Sequence, residues 1–95
     1  MGCTDDQLLD LLVQALDEAE EHYPYVTRER LRSVARSDPE WRIISARLSR
    51  ILMQAQQALL VLSDERHRLT RGGAFQPITL YRLNRRSPRV RTALS

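Results

Sequence analysis

Lysine is absent from this 95-residue chain, so all fifteen of its basic side chains are arginines. Cysteine occurs once, as Cys3, which excludes an internal disulfide. With His22 and His67 far apart in sequence, no cluster is spaced to hold a metal ion. A chain that relies on no cross-link is expected in a reducing, intracellular setting. No apolar run approaches the ~20 residues that a membrane helix requires. The opening Met1-Gly2-Cys3-Thr4-Asp5-Asp6 lacks the basic and apolar regions of a secretory signal, and Asp6 stands where a myristoylation site has Ser or Thr. There is also no activated-nucleophile pattern, no obviously enclosed carboxylate pair and no phosphate loop ending in Gly-Lys-Ser, and Gly72-Gly73 alone does not make a nucleotide site. An enzyme is therefore not expected, nor a cofactor, a metal or a small-molecule ligand.

What the chain does contain is an uneven distribution of charge. Seven of the twelve acids (Asp5, Asp6, Asp10, Asp17, Glu18, Glu20 and Glu21) fall in the first 21 residues, which hold no arginine. From Arg28 onward fifteen arginines face five acids, and the net charge of +3 conceals this division. So basic a segment points to a polyanionic partner. Arginine adds specificity to charge, because its planar fork pairs with a phosphate or a guanine edge through two hydrogen bonds and stays protonated.

Apolar spacing predicts the helices. Leu8, Leu12, Ala15/Leu16 and Ala19 recur at one-sided helical intervals over Asp5 to His22. Thr4, Asp5 or Asp6 can cap the start, and Pro24 ends the helix. Glu18, Glu20 and Glu21 crowd the negative end of its dipole, which calls for a cation from within the chain or outside it. Thr27 reads as the cap of a short second helix, Arg28 to Arg36, with Leu31, Val34 and Ala35 as its apolar face. Ser37 or Asp38 caps a third helix with Pro39 in its first turn, continuing to about Gln57. At 100° per residue Trp41, Ile44, Leu48, Ile51, Leu52 and Ala55 form its core stripe. Arg42, Ser45, Ala46, Ser49, Arg50 and Met53 are displayed opposite. Trp41 and Tyr81 are expected in the core, and His22 and His67 at the surface.

Residues 58–70 read two ways. Leu59, Leu62, Arg66 and Leu69 can prolong the third helix, while Leu59-Leu60-Val61-Leu62 can equally be a short buried strand. The turn signal Arg71-Gly72-Gly73, the helix stop Gln76-Pro77 and the strand formers in Ile78-Thr79-Leu80-Tyr81-Arg82-Leu83 favour two strands joined as a hairpin. After Asn84, residues 85–95 show no periodicity and are expected to be a flexible arginine-rich tail, leaving residues 1–84 as the domain.

Three helices followed by a hairpin is the element order of the winged helix-turn-helix superfamily of DNA-binding proteins, and Leu8 to Asn84 resembles it. The stretch Arg71-Gly72-Gly73-Ala74-Phe75-Gln76-Pro77-Ile78-Thr79-Leu80-Tyr81-Arg82-Leu83-Asn84 looks like the wing and closing strand of prokaryotic transcription regulators. Ser45-Ala46-Arg47-Leu48-Ser49-Arg50-Ile51-Leu52 is similar to the middle of their recognition helix. One departure is that those helices usually end in a glycine, where Gln54-Ala55-Gln56-Gln57-Ala58 offers only helix formers. The resemblance implies a mainly α fold with a small β-hairpin (α+β), a three-helix winged helix-turn-helix with a C-terminal wing. It also implies a transcriptional regulator bound to double-stranded DNA in the cytoplasm or nucleoid. On that reading Arg42, Ser45, Ser49 and Arg50 enter the major groove, and Arg66, Arg68 and Arg71 bring the wing to flanking backbone or minor groove. Arg28 contacts phosphate beside the start of the second helix, and the tail arginines Arg85, Arg86, Arg89 and Arg91 add minor-groove or nonspecific attraction. A homodimer through the acidic first helix would suit a palindromic site. Two other functions fit the composition: a helical protein-interaction adaptor, in which the third helix runs on, and a nonspecific chromatin- or RNA-binding protein.

Overall fold

Thr4 closes a complete capping box at the start of α1 (Asp5–His22). Its hydroxyl accepts from the Gln7 N–H at 3.2 Å, and the Gln7 side chain accepts from the Thr4 N–H at 3.0 Å. The fold is a computed structural model that describes residues 4–34 and 39–95. It is α+β. Among the described residues α1 is followed by α2 (Arg28–Arg32), α3 (Trp41–Ala46) and α4 (Leu48–Gln57), then by the antiparallel hairpin of β1 (Val61–Leu69) and β2 (Phe75–Leu83), and last by α5 (Pro88–Leu94). The ladder runs from Val61 opposite Leu83 to Leu69 opposite Phe75. Residues 59–83 therefore do not prolong the preceding helix. No described helix is long and apolar enough to cross a membrane.

The core forms where the apolar stripes meet. Leu12 and Leu16 of α1, Leu31 of α2, Ile44 of α3 and Leu48 and Leu52 of α4 are buried, with Leu60, Val61, Tyr81 and Leu83 closing the base of the hairpin. Trp41 also lies in this core. Only the base of the hairpin is covered. Ser63 to Leu69 and Phe75 to Pro77 are exposed, and nine-residue strands at about 3.4 Å per residue make an arm roughly 30 Å long. This arm accounts for an outline of 47 × 28 × 23 Å.

The free edge of β2 is closed by groups from α1 and the loop after it. The Tyr81 N–H donates to the Val26 carbonyl at 2.8 Å, and two residues on the Leu83 N–H donates to Glu20 Oε1 at 3.0 Å. Pro77 lies on the same edge by strand alternation, where its missing N–H leaves no bond unmade. Glu20 also accepts from Arg85 through Oε2 at 2.6 Å, so one carboxylate joins α1, β2 and the C-terminal segment. Replacing Glu20 with alanine is expected to lower stability by about 1–3 kcal/mol, because a strand amide loses its acceptor and Arg85 keeps only Asp17 as a carboxylate partner. Urea denaturation measures this, and an unchanged midpoint would contradict it.

Three expectations are corrected. The helix expected from Pro39 to Gln57 is two helices: Pro39 and Glu40 form a turn, and Arg47, at φ −117° and ψ 26°, separates α3 from α4. Arg47 is neither glycine nor proline. Its N–H is shared between the Ile43 and Ile44 carbonyls, a tightened last turn that redirects the chain. α2 ends at Arg32, with Leu31 buried and Val34 half-buried. Ala35 and Arg36, and the caps Ser37 and Asp38, lie outside the described residues. The segment expected as a flexible tail contains α5. Its Val90 is fully buried, and Gln14 Nε2 of α1 donates to the Ala93 carbonyl at 3.3 Å. Seven residues are too few for a stable isolated helix, so docking on α1 is what forms it.

The missing glycine at the end of α4 has a structural substitute. Leu59 takes the left-handed conformation at φ 59°. The Leu60 N–H reaches back to the Ala55 carbonyl at 2.9 Å and the Leu59 N–H to Gln56 at 3.0 Å, the two bonds of a Schellman cap. A left-handed leucine is strained by roughly 1–2 kcal/mol, and this side chain is mostly exposed, so it regains little by burial. Leu59→Gly is expected to raise stability by about 0.5–1 kcal/mol, read as a higher melting temperature. A lower one would mean that the Leu59 side chain contributes more than its backbone strain removes.

Candidate nucleic-acid interface

Ser49 and Arg50 stand exposed in the first turn of α4, whose buried residues Leu48, Ile51, Leu52 and Ala55 fix the opposite face to the core. Met53 continues the exposed side one turn on. The bend at Arg47 sets this helix apart from α3, so Arg42, exposed, and Ser45, half-buried, occupy a different helix from Ser49 and Arg50. In exchange the bend brings two unexpected arginines into the group. Arg32, from the end of α2, meets Ala46, Arg47, Leu48, Ser49 and Arg50 around a recess of about 420 Å³. Sequence reading missed Arg32 and Arg47. The i, i+3 spacing of Arg47 and Arg50 was the available signal for the second, whereas nothing local could place Arg32 beside them.

The electrostatics of the recess are one-sided. No acid occurs between Glu40 and Asp64, and none after Glu65. Among the described residues neither Arg32, Arg47 nor Arg50 takes part in an ion pair. Three guanidinium groups and a hydroxyl around one depression, with no ion-pair partner among the described residues, are suited to an anion.

A second group lies between α2 and the hairpin. Arg28 and Arg68 line one recess of about 270 Å³ with Thr27, Gln76 and Pro77. Arg30, Arg66 and Arg68 border a larger cleft of about 760 Å³ together with Glu29, Ile78 and Leu80. Thr27 caps α2, accepting from the Arg30 N–H at 3.2 Å. Arg30 in turn holds the loop before it, donating to the Tyr25 carbonyl at 2.7 Å and lying 5.1 Å over the Tyr23 ring. α2 is only five residues long, so Arg28 attracts an anion by its own charge rather than through a helix dipole. Arg66 donates to Asp64 at 2.8 Å, and that hydrogen bond, with the carboxylate's charge, holds the guanidinium above its ordinary pKa. Arg71 is exposed in the loop at the tip.

The arginines of the C-terminal segment are placed elsewhere. Arg85 lies 2.9 Å from Asp17 and 2.6 Å from Glu20, and Arg89 lies 3.2 Å from Asp6 and 3.7 Å from Asp10. The cation that acidic α1 calls for is supplied from inside the chain. The hydrogen bond to Asp17, ahead of that to Glu20, raises the Arg85 pKa above its ordinary value despite partial burial. Arg91 donates to the Arg85 carbonyl at 3.1 Å. Arg86 stays exposed at the base of the hairpin, beside Arg82 and Asn84. Arg85 shares one recess with Arg82 and Arg86, and its carboxylate partners would disfavour an approaching phosphate.

No protein-family model matches the chain, and no curated protein or solved structure shows significant similarity to it.

Proposed function

We propose that this protein binds double-stranded DNA as a small winged helix-turn-helix regulator, with α4 presented to the major groove and the hairpin acting as the wing. The carrying observation is the recess in which Arg32, Arg47, Ser49 and Arg50 converge at the exposed start of α4, its arginines in no ion pair among the described residues. A helix of this width fits the major groove, and the arginine fork pairs with guanine there or with the phosphates at its rim. The isolated bridge of Val26 to Tyr81 supports the winged reading, because it sets one residue of the chain between α1 and α2 against the far side of β2. The hairpin also removes the helical continuation on which the adaptor alternative depended.

Fluorescence anisotropy with labelled random duplex DNA, single-stranded DNA and duplex RNA, each across a salt series, tests the proposal. The expected result is preference for duplex DNA with a steep fall of affinity with salt, since each neutralised phosphate contributes about 0.9 to the log–log slope. Equal binding to duplex RNA would favour a nonspecific polyanion-binding protein. No binding to any of the three at low salt would overturn the general DNA-binding reading.

A further inference from the structure

The two edges of the hairpin are treated differently. On β2 the Tyr81 and Leu83 N–H groups point away from β1, to the Val26 carbonyl and to Glu20, and Pro77 has no N–H to offer. In an antiparallel ladder the residue opposite such a position also turns its backbone outward. Val61 and Ser63, opposite Leu83 and Tyr81, and by alternation Glu65, His67 and Leu69, therefore direct their N–H and C=O groups to the free side of β1. The ends of the ladder agree, because the Asn84 N–H donates to Leu60 and the Thr70 N–H to Ala74. Among the described residues nothing bonds to the outward groups of β1, and Ser63 to Leu69 are exposed. An open strand edge of this length is a template for another strand.

Charge along β1 identifies the strand that fits. A charged edge normally repels a second strand, but here the charges are divided: Asp64 and Glu65 come first, and Arg66, His67 and Arg68 follow. Two copies running antiparallel set the acidic half of one against the basic half of the other. A two-fold axis at Arg66 keeps like faces of the two strands together and places Asp64 opposite Arg68 and Glu65 opposite His67, each pair occurring twice. It also brings the outward backbone groups of Glu65 and His67, and of Ser63 and Leu69, to face each other in bonding positions. Arg68 and Glu65 are in no ion pair among the described residues, so both are available. Arg66 meets its equivalent at the axis, where each already pairs with Asp64 of its own chain at 2.8 Å. An axis at Glu65 would instead set two unpaired carboxylates against each other. Leu69, 61% exposed in the single chain, is carried to the base of the other copy, opposite Ser63 and diagonal to Val61 on the face that holds the core. We infer that β1 pairs antiparallel with β1 of a second copy, joining two hairpins into one four-stranded sheet about a two-fold axis at Arg66. The inference does not rest on the DNA-binding reading.

Sedimentation equilibrium of the full chain, without nucleic acid and over a concentration series, tests the pairing. The wild type is expected to dimerise with a dissociation constant of roughly 10–100 µM, in keeping with an interface below standard size. Asp64→Arg and Arg68→Asp each turn two opposite-charge pairs into like-charge pairs and are expected to weaken self-association by about tenfold or more. An equimolar mixture of these two variants restores both pairs in a mixed dimer. Its mean mass should therefore rise toward that of a dimer at concentrations where each variant alone is a monomer. His67→Pro removes one outward N–H and no bond of the hairpin ladder, so it is expected to abolish the dimer while leaving the melting temperature of the dilute protein unchanged. Should that variant fail to fold, the charge exchange decides alone. A wild type still monomeric at about 1 mM, a dimer that folded His67→Pro leaves intact, or a mixture no heavier than its components would each overturn the inference. None of these outcomes bears on the DNA-binding reading.

Discussion

Replacing Arg47 and Arg50 together with alanine is expected to weaken duplex DNA binding by about 100-fold at moderate salt without changing the fold. Each arginine that pairs with a base edge or phosphate contributes roughly 1–3 kcal/mol, so two of them account for one to several powers of ten. Both residues are exposed, and neither is in an ion pair within the described chain, so stability should remain within about 0.5 kcal/mol of the wild type. The salt dependence assigns their roles. A phosphate contact takes about one unit from the log–log slope when lost, while a guanine contact weakens binding to preferred sites and leaves the slope nearly unchanged. Arg85→Ala provides the contrast, because its partners are Asp17 and Glu20: it should lower stability and scarcely alter affinity. Affinity of the double variant within twofold of the wild type would remove the α4 recess from the interface.

Val90→Asp is expected to detach α5 and lower stability by about 3 kcal/mol. Burying an unpaired carboxylate where Val90 has no solvent exposure would cost more than the helix gains by docking, so the helix is expected to leave the surface instead. The loss is then limited to what docking contributes: burial of Val90, partial burial of Ala93 and Leu94, and the contacts of Arg89 with Asp6 and Asp10. Truncation before Ser87 should therefore give nearly the same loss. Hydrogen exchange should show α5 unprotected, with α4 still protected. A much larger loss for Val90→Asp than for truncation would mean that α5 cannot separate from α1 and that the charge is forced into the core.

The beginning of α5 was legible although its formation was not. Ser87-Pro88 is a serine followed by proline in the first helical position, the kind of start signal also present at Ser37-Asp38-Pro39. Seven residues contain too few apolar positions to establish a period, and the four arginines at 85, 86, 89 and 91 read as a solvated run. The pairing of Arg85 and Arg89 with acids more than sixty positions earlier decides otherwise. The same holds for the recess. Ser49 and Arg50 could be assigned to an exposed face from spacing alone, but the approach of Arg32 depends on how α2 packs and on the bend at Arg47.

What the sequence determined by itself is whatever acts over a few residues. The Thr4 box and Pro24 delimit α1, Thr27 starts α2, the stripe from Trp41 to Ala55 selects the buried face, and Gly72-Gly73 turns the hairpin. Each rests on a hydrogen bond or a steric restriction between near neighbours, which a local pattern records. The tertiary structure alone decided the left-handed Leu59, the break at Arg47, the docking of α5 and the division of the arginines between α1 and an open surface. These outcomes depend on which distant groups share a neighbourhood. Leu59 is held in its strained conformation by the Schellman bonds and by Asn84, whose side chain donates to the Leu59 carbonyl at 2.8 Å from 25 positions away. Charge composition could say that a basic surface exists, but only packing could select which arginines the acids of α1 would neutralise, because Coulomb energy follows distance in space and not position along the chain.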